Sequence, residues 1–190
     1  MKKDTPKVIK KEANNVLKIY NVVLRGENVD SDYWNEDHGS LDLIHIFEEN
    51  FTKNDWIALA LDLNNWSTEQ LELFIQGILG GYSGFTNNGI YYYNDKEAIL
   101  EITKTIPYRF DLLFPILQIE NDRKELYNPL SCEIIENINF INDHFDILLA
   151  IDLGYLDKIR TILELLKLSD SKHEIVIELR AKIDNSSKSP

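Results

Sequence analysis

The chain has 190 residues, of which 32 are acidic and 20 basic, so its formal net charge is −12 at pH 7. A surface of this charge repels phosphate, which argues against general binding to nucleic acid and against docking on anionic lipid through a basic face. Hydrophobic residues make up 44% and charged residues 27%, a globular composition. The length predicts a single domain at residues 1–184, followed by a disordered tail at 185–190.

Apolar residues recur at steps of three and four along most of the chain, which is the spacing of amphipathic helices. The first predicted helix starts at Thr5, has Pro6 in its first turn and ends at Gly26. A polar loop follows at residues 27–39, and Ser40 is the predicted cap of the second helix. The next helical patterns cover residues 54–63, capped by Asn54, and 68–79.

Three predicted helices start with a capping box, in which a Ser or Asn side chain and a Glu or Gln three residues later satisfy each other's backbone N–H groups. The three candidate pairs are Ser67 with Gln70, Asn94 with Glu97, and Ser171 with Glu174. Further helical patterns cover residues 94–107, 108–119 with a break or kink at Pro115, 129–141, 143–153, 155–168 and 171–183.

This pattern predicts an all-α fold of about eight to ten short helices with no credible sheet. Short antiparallel helices in sequence favour an irregular stack of helical hairpins, similar in type to HEAT and armadillo arrays. No clean repeat at 34 or at 40 to 47 residues is present, so a regular solenoid is not predicted. A helical bundle is the alternative architecture.

The negative charge is concentrated in two-fifths of the chain. Residues 27–103 contain 15 acidic and two basic residues, whereas the rest of the chain is close to neutral. The density is highest in residues 27–50, which contain eight acidic residues and no Lys or Arg. Ordinary surfaces intersperse both signs, so this stretch favours a face that meets a basic partner.

Aromatic residues are interleaved with these acids and recur in the long loop at residues 82–93. Because Tyr and Trp are enriched in interface hot spots, we predict a partner-binding face of carboxylates and aromatic anchors. The predicted residues are Asp30, Asp32, Tyr33, Trp34, Glu36, Asp37, Glu48, Glu49, Tyr82, Tyr91 and Tyr92. The alternative is a solvated acidic face, with Trp34 and about half of the tyrosines covering the core.

No catalytic or metal-binding motif is found in the sequence. The four histidines lie on separate predicted elements, and Asp30 and Asp32 start a calcium-like loop that lacks its glycine and its final glutamate. We therefore expect no enzyme activity, no cofactor and no metal. Cys132 is alone, so it cannot form an internal disulfide; we expect a buried thiol and a reducing cytoplasm. Neither a signal peptide nor a membrane span is predicted.

An acidic, single-domain, all-α chain without a catalytic motif resembles in type the immunity proteins of bacterial polymorphic-toxin and contact-dependent growth-inhibition systems. The resemblance implies a cytoplasmic inhibitor of a basic toxin domain, with a nuclease as the expected type, and no direct binding to nucleic acid or membrane. The carboxylates would then accept from the toxin's cations, and Tyr33 and Trp34 would be anchors. The alternatives are a helical-repeat scaffold or adaptor, and a nucleic-acid-mimic inhibitor.

Overall fold

The computed structural model describes residues 5–27, 34, 39–80, 96–124 and 127–187. These residues form eleven α-helices and no β-strand, so the predicted all-α class is confirmed. The helices are α1 (Thr5–Gly26), α2 (Gly39–Asn50), α3 (Lys53–Asp62), α4 (Thr68–Ile75), α5 (Lys96–Asp111), α6 (Leu113–Arg123), α7 (Pro129–Glu136), α8 (Asn139–Asp143), α9 (Phe145–Ile151), α10 (Tyr155–Leu165) and α11 (Glu174–Ser186). A 3₁₀ turn (Leu63–Asn65) follows α3, and a π-helical turn (Gln76–Gly80) follows α4.

Side-chain caps fix the starts of α3 and α4. The predicted capping box of α4 is confirmed: the Gln70 N–H donates to Ser67 Oγ at 3.2 Å, and the Ser67 N–H donates to Gln70 Oε1 at 2.9 Å. The start of α3 lies earlier than predicted, because the cap is Thr52 rather than Asn54. Asp55 lies three residues after Thr52 and closes a capping box with it, whereas the residue three after Asn54 is Ile57, which cannot accept a hydrogen bond.

The predicted capping box at the last helix is wrong. α11 starts at Glu174 with His173 as its N-cap, and Ser171 Oγ accepts from the His173 N–H at 3.2 Å. Ser171 therefore closes a turn with the N-cap residue His173, before the helix, rather than capping the first turn of the helix. The candidate cap Asn94 lies outside the described residues.

The helix break in the middle of the chain lies at a different residue from the one predicted. α5 continues through Pro107 to Asp111, and the break falls at Leu112 instead of Pro115. Pro115 lies in the first turn of α6, where a missing N–H removes no intrahelical hydrogen bond. The helix predicted at 129–141 is likewise divided, into α7 and α8.

The helices stack in chain order. α1 packs against α2, α3 and α4, while α2 and α4 also contact α5 and α7, respectively. The next contacts join α5 to α9, α6 to α10 and α8 to α11. Each group of helices therefore packs on the group before it, which places α1 and α3 towards one end of the stack and α11 towards the other.

Two aromatic clusters hold the first helices together. The Trp56 ring of α3 stacks between Phe47 of α2, at a centroid distance of 4.5 Å, and Tyr108 of α5, at 5.2 Å. Trp66 makes edge-to-face contacts with Tyr20 of α1 and Phe74 of α4. Stacked and edge-to-face pairs each add to the stabilisation from burial. In the part of the chain that the structure describes, no helix is both long and apolar enough to cross a membrane.

Candidate binding surfaces

The predicted acidic face is described only in part. Glu27 and Glu49 are exposed and Glu48 is half-buried. Asp42, in the same stretch, forms an ion pair with Arg25 at 3.4 Å. Arg25 lies on α1, before the acidic stretch in sequence. The stretch itself contains no Lys or Arg, so this ion pair depends on the packing of α1 against α2. The other predicted residues, apart from Trp34, lie outside the described residues: Asp30, Asp32, Tyr33, Glu36, Asp37, Tyr82, Tyr91 and Tyr92.

Trp34 belongs to the core. Its side chain is 2% exposed, and its indole N–H donates to the Leu73 carbonyl oxygen at 3.0 Å. Its ring lies so close to Gly26 that a Cβ atom there would be 2.6 Å from two ring carbons. The prediction that Trp34 anchors a partner is therefore wrong. The alternative, that this tryptophan covers the core, describes its position.

A groove of about 410 Å³ lies between α1 and α3. Its lining residues are Val16, Leu17, Tyr20, Ala58, Asp62, Asn65 and Trp66. The polar groups inside are already partnered: the Asp62 carboxylate accepts from the indole N–H of Trp66 at 3.0 Å and from the Asn65 amide at 3.1 Å. The Gln70 amide donates to the Tyr20 hydroxyl at 3.3 Å. The groove is therefore mainly an apolar feature.

Helix α3 carries large apolar side chains on both of its faces. Trp56 and Leu59 are buried against the core, while Ile57 is 53% and Leu61 is 69% exposed on the outer side. Leu17 of α1, which lines the groove beside α3, is 53% exposed. None of the partner-binding residues predicted from the sequence lies on this helix. The signal was present as uninterrupted apolar residues between Trp56 and Leu61.

A second acidic segment was missed. Residues 125–157 contain seven acidic residues and no Lys or Arg. Summing the charge over all residues outside 27–103 concealed this segment, because Lys and Arg are concentrated on either side of it. Residues 127–157 are described, and Glu136, Asp146 and Asp152 are exposed there. Three large apolar residues of the same segment are also exposed: Tyr127 by 79%, Ile151 by 55% and Leu153 by 75%.

Cations at the edges of this segment are already paired. Arg160 forms an ion pair with Asp157 at 2.8 Å, and Lys158 forms one with Asp111 at 2.7 Å. Lys182 forms an ion pair with Glu178 at 3.2 Å and donates to the Asn142 carbonyl oxygen at 3.0 Å. Burial raises the pKa of Asp143. The negative charge of Glu178 raises this pKa further, whereas the positive charge of Lys182 lowers it.

A buried polar cluster lies between α5 and α8. The Arg109 side chain is fully buried, donates to the Ile78 carbonyl oxygen at 3.1 Å and lies 5.0 Å from the centroid of the Phe140 ring. His144 Nδ1 lies 2.8 Å from the Phe140 carbonyl oxygen, which can only accept, so this nitrogen donates. Burial lowers the pKa of His144 to about 4, and the positive charge of Arg109 contributes in the same direction. His144 is therefore neutral at pH 7.

No metal centre is found among the described residues, since no group of three His, Cys, Asp or Glu side chains is placed to hold an ion. His38, Asp30 and Asp32 lie outside the described residues. Cys132 is exposed, so the prediction of a buried thiol is wrong. α7 buries Leu130 and Ile134, and Cys132 lies between them in sequence on a different side of the helix.

Comparisons of this chain with protein-family models, with curated proteins and with solved structures found no match. The functional inference therefore depends on the charge and the exposed surfaces of the chain itself.

Proposed function

We propose that this protein is an immunity protein that binds a basic toxin domain and neutralises it by covering its active-site surface with acidic side chains. The observation that supports this proposal best is the separation of charge: residues 27–50 and 125–157 together contain 15 acidic residues and no Lys or Arg. Glu49, Glu136 and Asp146 represent the two segments on the described surface.

The physical basis is competition for a cationic surface. A nuclease binds the phosphates of its substrate through Lys and Arg, so its active-site surface attracts carboxylates as well. A protein of net charge −12 is steered towards such a surface and excludes the polyanionic substrate from it. A nuclease is the expected type of toxin, because a nucleic-acid substrate requires a basic active site.

The fold supports this role by holding the acids on packed helices. Glu49 lies on α2, Glu136 on α7 and Asp146 on α9, and the contacts along the stack link these helices. Carboxylates on packed helices lose less conformational entropy on binding than carboxylates on a flexible chain. Arg25, Lys158 and Arg160 form ion pairs with Asp42, Asp111 and Asp157 of this chain. Glu49, Glu136 and Asp146 are not in these pairs, and they are the candidates for binding a cation of the partner.

The experiment starts with native purification from the source cell to identify the bound protein, followed by its expression with and without this chain. We expect the partner to stop growth alone and to be harmless when this chain is present. The charge-reversed triple variant Glu49→Lys, Glu136→Lys, Asp146→Lys should slow association roughly tenfold or more, because peripheral charges act mainly on the association rate.

The matched control changes net charge by the same amount outside the two segments, through Asp170→Lys, Glu174→Lys and Asp184→Lys. These three residues are exposed in the last part of the chain. We expect the control to slow association less than the first triple variant and to keep protection. A partner that is neutral or acidic, or two triple variants with equal effects, would contradict the proposal.

A scaffold or adaptor function is the second candidate, and the exposed apolar face of α3 favours it. Ile57 and Leu61 offer an apolar contact that a charge-based inhibitor does not need. An adaptor would retain its partner at high salt, whereas association with a basic toxin should weaken as salt screens the attraction.

A further inference from the structure

We propose that this chain forms a homodimer in which the outer face of α3 packs antiparallel against the same face of a second copy. The face consists of the outward positions of α3 and of the 3₁₀ turn that continues it. At its centre lie Ile57, 53% exposed, and Leu61, 69% exposed, which are one helical turn apart. This inference is independent of the proposed toxin-binding function.

The outward residues form a self-complementary series when α3 is paired with itself antiparallel. A two-fold axis at the level of Leu59 places Ile57 of one copy opposite Leu61 of the other, and the reverse contact follows by symmetry. The same register places Asn54 opposite Asn64, so an amide faces an amide on each side of the apolar centre. An interface about a two-fold axis requires this property, because each copy presents the same patch.

Charge is compatible with self-association of this face, although Asp62 lines the groove between it and Leu17. The outward positions 53, 54, 57, 61, 64 and 65, all of them described, include no acidic residue. Two copies of a chain with net charge −12 repel each other, and repulsion is weakest where the local surface lacks acids. Lys53 is the charged residue among these outward positions. In this register Lys53 faces Asn65 of the second copy, and Asn65 follows Asp62 by three residues in sequence.

The exposed area is of the right order for a modest interface. Ile57 and Leu61, with Leu17 of α1 across the groove, expose apolar area on the order of a few hundred Å², the size of the largest apolar patch on a typical monomer, which is often functional. A standard interface takes about 800 Å² from each partner and is a little over half apolar. Ala58 and Ala60 flank the centre and are half-buried, and their small side chains allow two helices to approach closely.

The test is sedimentation equilibrium of the whole chain at increasing concentration, up to about 1 mM. We expect a monomer–dimer equilibrium that strengthens as salt rises, since salt screens the repulsion between acidic copies. Leu61→Lys should raise the dimer dissociation constant roughly tenfold or more, because two lysines enter each apolar interface. The matched control Leu153→Lys changes an equally exposed leucine on the turn after α9 and should leave the constant unchanged.

A cross-linking measurement tests the register. In a Cys132→Ser background, chains carrying Ile57→Cys and chains carrying Leu61→Cys are mixed and treated with a short bifunctional maleimide. We expect the mixture to cross-link more than either variant alone, because unlike positions meet in the antiparallel register. A monomer at every concentration, equal effects of Leu61→Lys and Leu153→Lys, or stronger linkage of Ile57→Cys to itself would overturn the proposal. Ile57→Lys repeats the test if circular dichroism shows that Leu61→Lys is unfolded.

Discussion

Gly26 and Trp34 meet at the end of α1, where the absence of a side chain on one residue makes room for the largest side chain on the other. The Trp34 ring occupies the space that a Cβ on Gly26 would need, and its indole N–H is hydrogen-bonded to Leu73. Nothing in the local sequence indicates this contact, because Trp34 lies among acidic residues in a polar segment. Its burial is decided by helices α1 and α4, and a sequence window around Trp34 contains neither.

The substitution Gly26→Ala should therefore destabilise the protein by about 1–3 kcal/mol, the usual cost of overpacking a filled core. Urea unfolding measures this change as a lower midpoint. Gly154→Ala is the control, because the new Cβ would lie 3.2 Å from a carboxylate oxygen of the exposed Asp152, which can move away. Equal destabilisation by the two substitutions would show that Trp34 does not fill the space beside Gly26.

His144 gives the fold a pH dependence whose sign follows from its lowered pKa. In the unfolded chain the imidazole titrates near 6.5, whereas in the fold its pKa is about 4. Between these values the unfolded state binds a proton that the folded state does not, so stability is full above pH 6.5 and falls as pH decreases towards 4. The loss from pH 6.5 to pH 5 should be roughly 2 kcal/mol.

Urea unfolding of the wild type and of His144→Gln at several pH values isolates this contribution. The variant should be less stable at pH 7, since it loses a buried hydrogen bond, but its stability should fall less between pH 6.5 and pH 5. Asp143 and Glu133 have raised pKa values and act in the opposite direction, so the difference between the two proteins is the quantity to compare. Parallel curves would exclude His144 as the source.

At the scale of helices, the hydrogen bonds of a cap could be predicted from the sequence, whereas the buried side of a helix could be predicted only in part. The Ser67 cap was found because its partner is three residues away in sequence. On α1, apolar residues at steps of three and four define a stripe that includes Val16 and Val23, which are buried, but also Leu17, which is 53% exposed. Ile19 is fully buried and was not in the stripe. α1 packs against three helices, and periodicity alone does not show on which sides they lie.

The start of α3 gives a direct test of the cap. Thr52→Ala should cost about 1–2 kcal/mol, because the hydroxyl both accepts from the Asp55 N–H and donates to the buried Asp55 carboxylate. Asn54→Ala, two residues later and exposed, should cost less. Both values come from urea unfolding at one pH. If Asn54→Ala proved the more damaging of the two, the cap assigned to Thr52 would be incorrect.

At the scale of the whole molecule, the sequence predicted the excess of negative charge but not its distribution over the surface. The segment 27–50 was found from composition, whereas the ion pair between Asp42 and Arg25 required the fold. The segment 125–157 was missed because its charge was averaged with that of its flanks. The apolar face of α3 was missed because a buried and an exposed apolar residue give the same signal in sequence.

The excess charge should make the stability of the fold depend on salt. Self-repulsion in a chain of net charge −12 weakens as the Debye length shrinks from about 30 Å at 0.01 M to about 8 Å at 0.15 M. We expect Tm to rise by about 2–4 °C over this range, the equivalent of roughly 1 kcal/mol for a chain of this size. Scanning calorimetry measures the shift, which should be smaller in the variant Glu49→Lys, Glu136→Lys, Asp146→Lys. An unchanged Tm in both proteins would show that self-repulsion is negligible.

The buried tryptophans give the molecule an uneven optical signal. Trp34, Trp56 and Trp66 are each 6% exposed or less, and the chain has no other tryptophan. All three lie in or beside the first four helices, so indole emission reports on one end of the stack. Helices α5 to α11 contribute to far-ultraviolet circular dichroism but contain no tryptophan. The two signals therefore follow different parts of the chain, and they coincide during unfolding only if the stack melts as one cooperative unit.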